Sequence, residues 1–208
     1  MEAAKIQGVP TQQRGSHLDV QKECKFRDPQ ETMESFELLK ARFFSINHWK
    51  EICGGMSADF RLFDQSGVYV DRMPQEGDFI RVDIPGPGDI YEKGFDWVRI
   101  VKIDERIYDG QLERYLILCR PSSAPDSKKN HVAHFYSPQS SSSFLIERGA
   151  TYIKAGVYGR NELPNYAHTG LMGKIRNFFI YLGGAMRMTK MQWKSLVEGL
   201  MDFKNDES

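Results

Sequence analysis

The chain has 208 residues, of which 40% are hydrophobic and 27% charged, a balance that supports a folded core and excludes a mostly disordered or fibrous polypeptide. Lysine plus arginine equal aspartate plus glutamate at 28 each, which removes a global electrostatic drive toward nucleic acid and leaves a small or apolar partner as the expectation. No apolar run is long enough for a transmembrane segment, and the three cysteines show no paired spacing that signals a disulfide framework or a zinc site.

Residues 1–30 mix Gly8, Pro10, Gly15 and Pro29 with polar side chains, which predicts a mobile arm or irregular edge segment, with "VQKECKF" able to supply one short strand. The start lacks a basic stretch followed by an apolar block, so it does not read as a signal peptide and a cytoplasmic location is expected. Residues 31–208 are expected to form a single domain. Met33, Phe36, Leu39, Phe43 and Ile46 recur at helical spacing, with Asp28 followed by Pro29, or Thr32, as the start signal. A second turn, "NHWKEICGG", carries Trp49 and ends at Gly54 and Gly55.

From Ala58 the period changes to two. "ADFRLF" alternates Phe60 and Leu62 with Asp59 and Arg61, and "DFIRVDI" alternates Ile80 and Val82 with Arg81 and Asp83. "DWVRIVKI", "ERYLILC", "SFLIER" and "TYIKAGVY" follow as strands, and the short connections between them predict an antiparallel meander. "SFLIERGATYIKAGVY", hinged at Gly149, is the clearest hairpin. Beyond "VYGRNELPN", an apolar stripe from Ile175 through Phe178, Phe179, Leu182, Trp193 and Leu196 to Leu200 predicts a long terminal helix.

An early helix pair, six or more antiparallel strands and a long closing helix make an α+β pattern. "ELLKARFFSINHWKEI" and "GLMGKIRNFFIYLGGAMRMTKMQWKSLVEGLMDF" carry a resemblance to the START-like and polyketide-cyclase-like helix-grip superfamily. That resemblance implies a curved antiparallel sheet wrapped around the C-terminal helix, with an apolar cavity between them. A competing reading makes residues 58–120 an SH3-like barrel, from "EGDFIRVDIPGPG"; one continuous sheet is preferred because it buries all the apolar faces together.

No motif selects a reaction. His131 and His134 have no third ligand at a defined spacing, so no metal and no cofactor is called for. Cys119 lies on an apolar strand without a nearby base. Asp78, Asp83, Asp96, Asp104 and Glu105 read as a solvated sheet face.

The expected function is noncatalytic binding of a small hydrophobic or lipid-like ligand in a sheet-helix cavity of several hundred Å³. The candidate ligand residues are Trp97, Phe135, Tyr158, Arg160, Glu162, Phe179 and Trp193. The alternatives are a cyclase- or hydrolase-like enzyme using the same cavity, with Arg160 and Glu162 at its mouth, and a protein-interaction module. On the balanced charge, no nucleic-acid partner is expected, and the oligomeric state is left open.

Overall fold

In the computed structural model, residues 2–54, 58–83, 95–108, 112–125, 127, 136–163 and 190–203 are described. The chain runs through β1 (Ser16–Lys25), α1 (Pro29–Phe44), a 3-10 turn (Ile46–His48) and α2 (Trp49–Cys53). It continues through β2 (Asp59–Phe63), β3 (Phe79–Asp83), β4 (Asp96–Tyr108), β5 (Leu112–Pro121), β6 (Ser141–Arg148) and β7 (Tyr152–Glu162). Residues 190–200 are helical and are called α3. The earlier part of the stripe that predicts this helix, including Phe179, lies outside the described residues.

The strands form one curved antiparallel sheet in the order β1-β7-β6-β5-β4-β3-β2. The strands before and after the helical insertion therefore occupy opposite edges, and α1 and α2 bridge between them across the inner face. This is an α+β, helix-grip-like arrangement. The SH3-like reading is corrected here: β2 is an edge strand and does not pair with β5, so residues 58–120 close no barrel of their own.

Local chemistry accounts for the helix boundaries. Asp28 caps α1 by accepting from the Gln30 amide at 3.1 Å, and Pro29 takes the first turn, where no amide proton is needed. Thr32, the other candidate start, lies within the helix and donates its hydroxyl to the Asp28 carbonyl at 2.9 Å. Phe36, Leu39 and Phe43 are buried as their spacing predicts, but Met33 is 43% exposed. At 100° per residue Met33 falls about 90° from the centre of that stripe, so the sequence pattern extends one turn too far.

The core lies between the inner face of the sheet and the helices. Trp49, fully buried, sits with its ring centroid 5.4 Å from Phe60 and 5.0 Å from Phe144, and Trp193 of α3 reaches the same two rings at 5.7 and 5.3 Å. Leu196, Val197 and Leu200 complete this contact. Gly199 lets α3 approach α2: a Cβ there would meet the Ile52 carbonyl oxygen at 2.0 Å. Arg42 closes the end of α3 by donating to the carbonyls of Gly199, Leu200 and Asp202 at 3.4, 3.2 and 2.8 Å.

The residues before β1 pack on the outer face of the sheet. Ile6 and Val9 cover Leu116, Leu118, Leu145 and Tyr158, and Arg114 donates to the Gln7 carbonyl. Among the described residues no helix is long and apolar enough to cross a membrane.

Candidate functional site

The residues expected at a single cavity are distributed over both sides of the sheet. Trp193 is in the core. Trp97 lies on the outer face of β4, where it packs with Ala124, Phe63, Phe79 and Phe95. Tyr158 and Arg160 lie on the outer face of β7. The Tyr158 hydroxyl donates to Gln21 Oε1 at 2.9 Å, and burial, with Asp19 and Glu147 nearby, pushes its pKa up to about 12. Arg160 is 1% exposed and donates to Asp19 Oδ1 at 2.6 Å and to the carbonyls of Leu18, Gly159 and Ala4 at 3.2, 2.7 and 2.8 Å. Phe135, like His131 and His134, lies outside the described residues.

Glu162 is separated from Arg160 by a β-bulge. Ser16 pairs with Glu162 while Leu18 pairs with Gly159, so Arg160 and Asn161 together oppose His17, and Asn161 takes a left-handed φ of 55°. The extra residue reverses the alternation. A Cβ on Gly159, whose neighbours Val157 and Ala155 face the core, would meet Glu162 Oε1 at 2.1 Å, which places the carboxylate on the inner side. Glu162 accepts from the Ser16 hydroxyl at 3.2 Å and from the Tyr136 hydroxyl.

Burial raises the Glu162 pKa, and the hydrogen bonds from Ser16 and Tyr136 only partly offset it. An acid with a raised folded pKa favours the fold below its unfolded pKa, and that contribution is lost as pH rises through the folded value. Glu162→Gln is therefore expected to raise Tm near neutral pH, with the gain vanishing as pH falls toward the ordinary glutamate value of 4.5. Thermal melts across that range test this; a gain that persists in acid contradicts the assignment.

An opening among the described residues lies elsewhere, between α1, the 3-10 turn and the inner side of β4 and β5. It is a cleft of about 680 Å³. Glu37, Lys40, Ala41 and Phe44 follow helical i, i+3, i+4, i+7 spacing and line one wall, and Tyr115 and Glu105, a cross-strand pair, form the opposite one. The third side is residues 71–73, placed by two polar anchors. Buried Asn47 accepts from the Leu62 amide at 2.8 Å and donates to the Val70 carbonyl at 2.9 Å and Asp71 Oδ1 at 3.0 Å. Arg72 grips Asp78 in bidentate fashion at 2.7 and 3.0 Å. Asp78, expected on a solvated face, is 1% exposed because this fork and the Gln75 amide, at 2.8 Å, satisfy its carboxylate.

Behind the cleft lies a charged network. Glu113 Oε1 accepts from the Tyr115 hydroxyl at 2.8 Å and from Lys40 Nζ at 3.4 Å, and its Oε2 accepts from Arg148 at 3.2 Å. Lys40 also reaches Glu37 at 2.6 Å, and the Tyr115 hydroxyl lies 3.1 Å from Glu105. Desolvation works against ionised Glu113, but Tyr115, Arg148 and Lys40 outweigh it and hold the pKa below the ordinary range. Desolvation likewise works against charged Lys40, and Glu37 and Glu113 outweigh it, so the ammonium persists. Burial and the two carboxylates push the Tyr115 phenol far up.

The cleft therefore presents a fixed cation and a fixed phenol beside the Phe44 and Tyr115 rings, which meet edge to face at 5.4 Å. None of these residues stands out in the sequence as a site. The available signal is that Glu113 and Tyr115 share the strand face of Ile117 and Cys119, which places a carboxylate on an apolar stripe.

No protein-family model matches the chain, and no curated protein matches it. Among solved structures, a hypothetical protein from Helicobacter pylori superposes with a TM-score of 0.45 at 8% identity, over 95% of this chain and 98% of that one. A truncated norcoclaurine synthase from Thalictrum flavum gives 0.36 at 6% identity, over 94% of this chain and 100% of that one. A major latex-like protein from Panax ginseng gives 0.32 at 10% identity, over 86% of this chain and 99% of that one. At this level of similarity none of the three bears on what this chain binds.

Proposed function

We propose that the protein is a noncatalytic carrier or sensor of a small, largely apolar ligand with a polar end, held in the cleft between α1 and the sheet. The observation that carries this reading is the cleft of about 680 Å³ itself, with Phe44, Ile46, Met73 and Tyr115 offering apolar surface and Lys40, Glu37 and Glu105 offering polar groups. Small-molecule sites combine this size with this mixture. Lys40 and Tyr115 hold their protons firmly, which suits recognition of a polar head better than proton transfer. The catalytic alternative asks for Arg160 and Glu162 at one mouth, and the β7 bulge assigns them to different faces.

An environment-sensitive apolar dye such as anilinonaphthalene sulfonate is expected to bind the purified protein with enhanced, blue-shifted emission. Ala41→Trp, which fills the cleft from the exposed wall of α1, is expected to weaken that binding at least tenfold, about 1.4 kcal/mol, while leaving the melting temperature nearly unchanged. Undiminished dye binding by the folded variant places the ligand site elsewhere.

A further inference from the structure

The balanced total charge conceals a local row of arginines on a sheet face that also carries Asp59 and Asp83. On the outer side of the sheet, Arg61 of β2, Arg81 of β3, Arg99 of β4 and Arg120 of β5 lie along a diagonal. Arg61 pairs in register with Arg81, Arg81 with Trp97, and Arg99 with both Phe79 and Arg120. Their strand neighbours Leu62, Ile80, Val98, Ile100 and Cys119 all point into the core, so alternation places the four arginines outward.

Arg61 is bound to Asp59 at 3.2 Å. Arg81, Arg99 and Arg120 make no side-chain hydrogen bond or ion pair among the described residues. Arg81 rests on rings instead, 4.2 Å from the Phe95 centroid and 5.5 Å from that of Phe63, with a buried, unpartnered Nε; Arg99 lies 5.7 Å from the Phe79 centroid. Arg99 and Arg120 are exposed.

Like charges directly opposite one another across a ladder are destabilising, and no described acid offsets Arg99 against Arg120. The rings hold Arg81 and Arg99 in place, so part of their side-chain ordering is already complete before an anion arrives. We propose that this diagonal binds the phosphate backbone of single-stranded nucleic acid. Adjacent strands are about 4.8 Å apart, so four arginines on four strands form a line of roughly 15 Å running across the sheet. A nucleic-acid strand presents a charge at every repeat and meets such a line in any register, which an acidic peptide does only where its sequence permits. Guanidinium forks match phosphate oxygens in bidentate geometry. Trp97 is 7% exposed and Phe79 is covered by Arg99, so the recognition is of backbone and independent of base sequence.

The test is fluorescence anisotropy of a labelled oligothymidylate of about 20 nucleotides with the full chain, between about 50 and 200 mM salt. The double substitution Arg99→Gln with Arg120→Gln is expected to weaken binding at least tenfold at low salt and to flatten the salt slope by about 1.4, two contacts at about 0.7 each. Substituting Lys190 and Lys194 of α3 by glutamine is expected to change neither. Because the glutamine pair removes like charges from the surface, its Tm is expected to be equal or higher; should it not fold, Arg99→Lys with Arg120→Lys, which keeps the charge but loses the fork, is expected to bind more weakly while retaining the salt slope. Absent binding by the unmodified chain, equal binding by the folded glutamine pair, or tighter binding of a polyglutamate peptide of equal charge overturns the proposal.

Discussion

Glu113→Ala is expected to destabilise the protein by about 3–5 kcal/mol, the cost typical of breaking a buried ion pair from one side. The carboxylate is the single acceptor that joins Lys40 of α1, Tyr115 of β5 and Arg148 of β6. Its loss leaves Arg148, whose Nε already lacks a partner, as a partly buried cation without its acid. Chemical denaturation at neutral pH measures the loss.

The sign of the pH dependence is set by the direction of the pKa shift. Glu113 has a depressed folded pKa, so its contribution is present above the unfolded value and is lost as pH falls through the folded one. Glu113→Gln is therefore expected to be less stable than the unmodified protein at neutral pH, and the gap is expected to narrow in acid, below the ordinary glutamate range. A gap independent of pH removes ionised Glu113 from the network. The same variant is expected to loosen the wall of the cleft formed by Lys40 and Tyr115, and so to weaken dye binding as well.

Arg160→Ala is expected to be similarly severe, about 3–5 kcal/mol, because it strands Asp19 and three carbonyl groups. Two of its partners hold the N-terminal arm to the sheet. Arg160 donates to the Ala4 carbonyl at 2.8 Å, and Asp19, held by Arg160, accepts from the Ala4 amide at 2.9 Å. Hydrogen exchange is expected to accelerate in residues 4–9 of the variant by far more than in α1. Uniform acceleration instead assigns Arg160 to global stability alone. Arg160→Lys is expected to recover part of the loss, since an ammonium restores the charge but cannot span acceptors in a planar fork.

The sequence by itself determined the succession of elements. Periods of 3.6 and 2 locate α1, β2, β3 and the β6–β7 hairpin because side-chain alternation is a local consequence of backbone geometry. The start of α1 was legible to within two candidates, Asp28 with Pro29 or Thr32, because capping involves neighbouring residues only, and the structure selects the first. The order of strands, and with it the separation of β1 from β2, depends on pairings between residues more than a hundred positions apart.

The cleft belongs to that second category. Lys40, Glu113 and Arg148 come from three elements and look unremarkable singly, and only the packing of α1 across the sheet brings them together. "VYGRNELPN" shows the same division: its strand character and polar content were visible, but a single extra residue opposite His17 decides that Arg160 faces out and Glu162 faces in. Alternation can be read along a strand only while pairing is regular. A bulge shifts it by one, and whether a bulge forms is settled by the partner strand and the arm packed beside it.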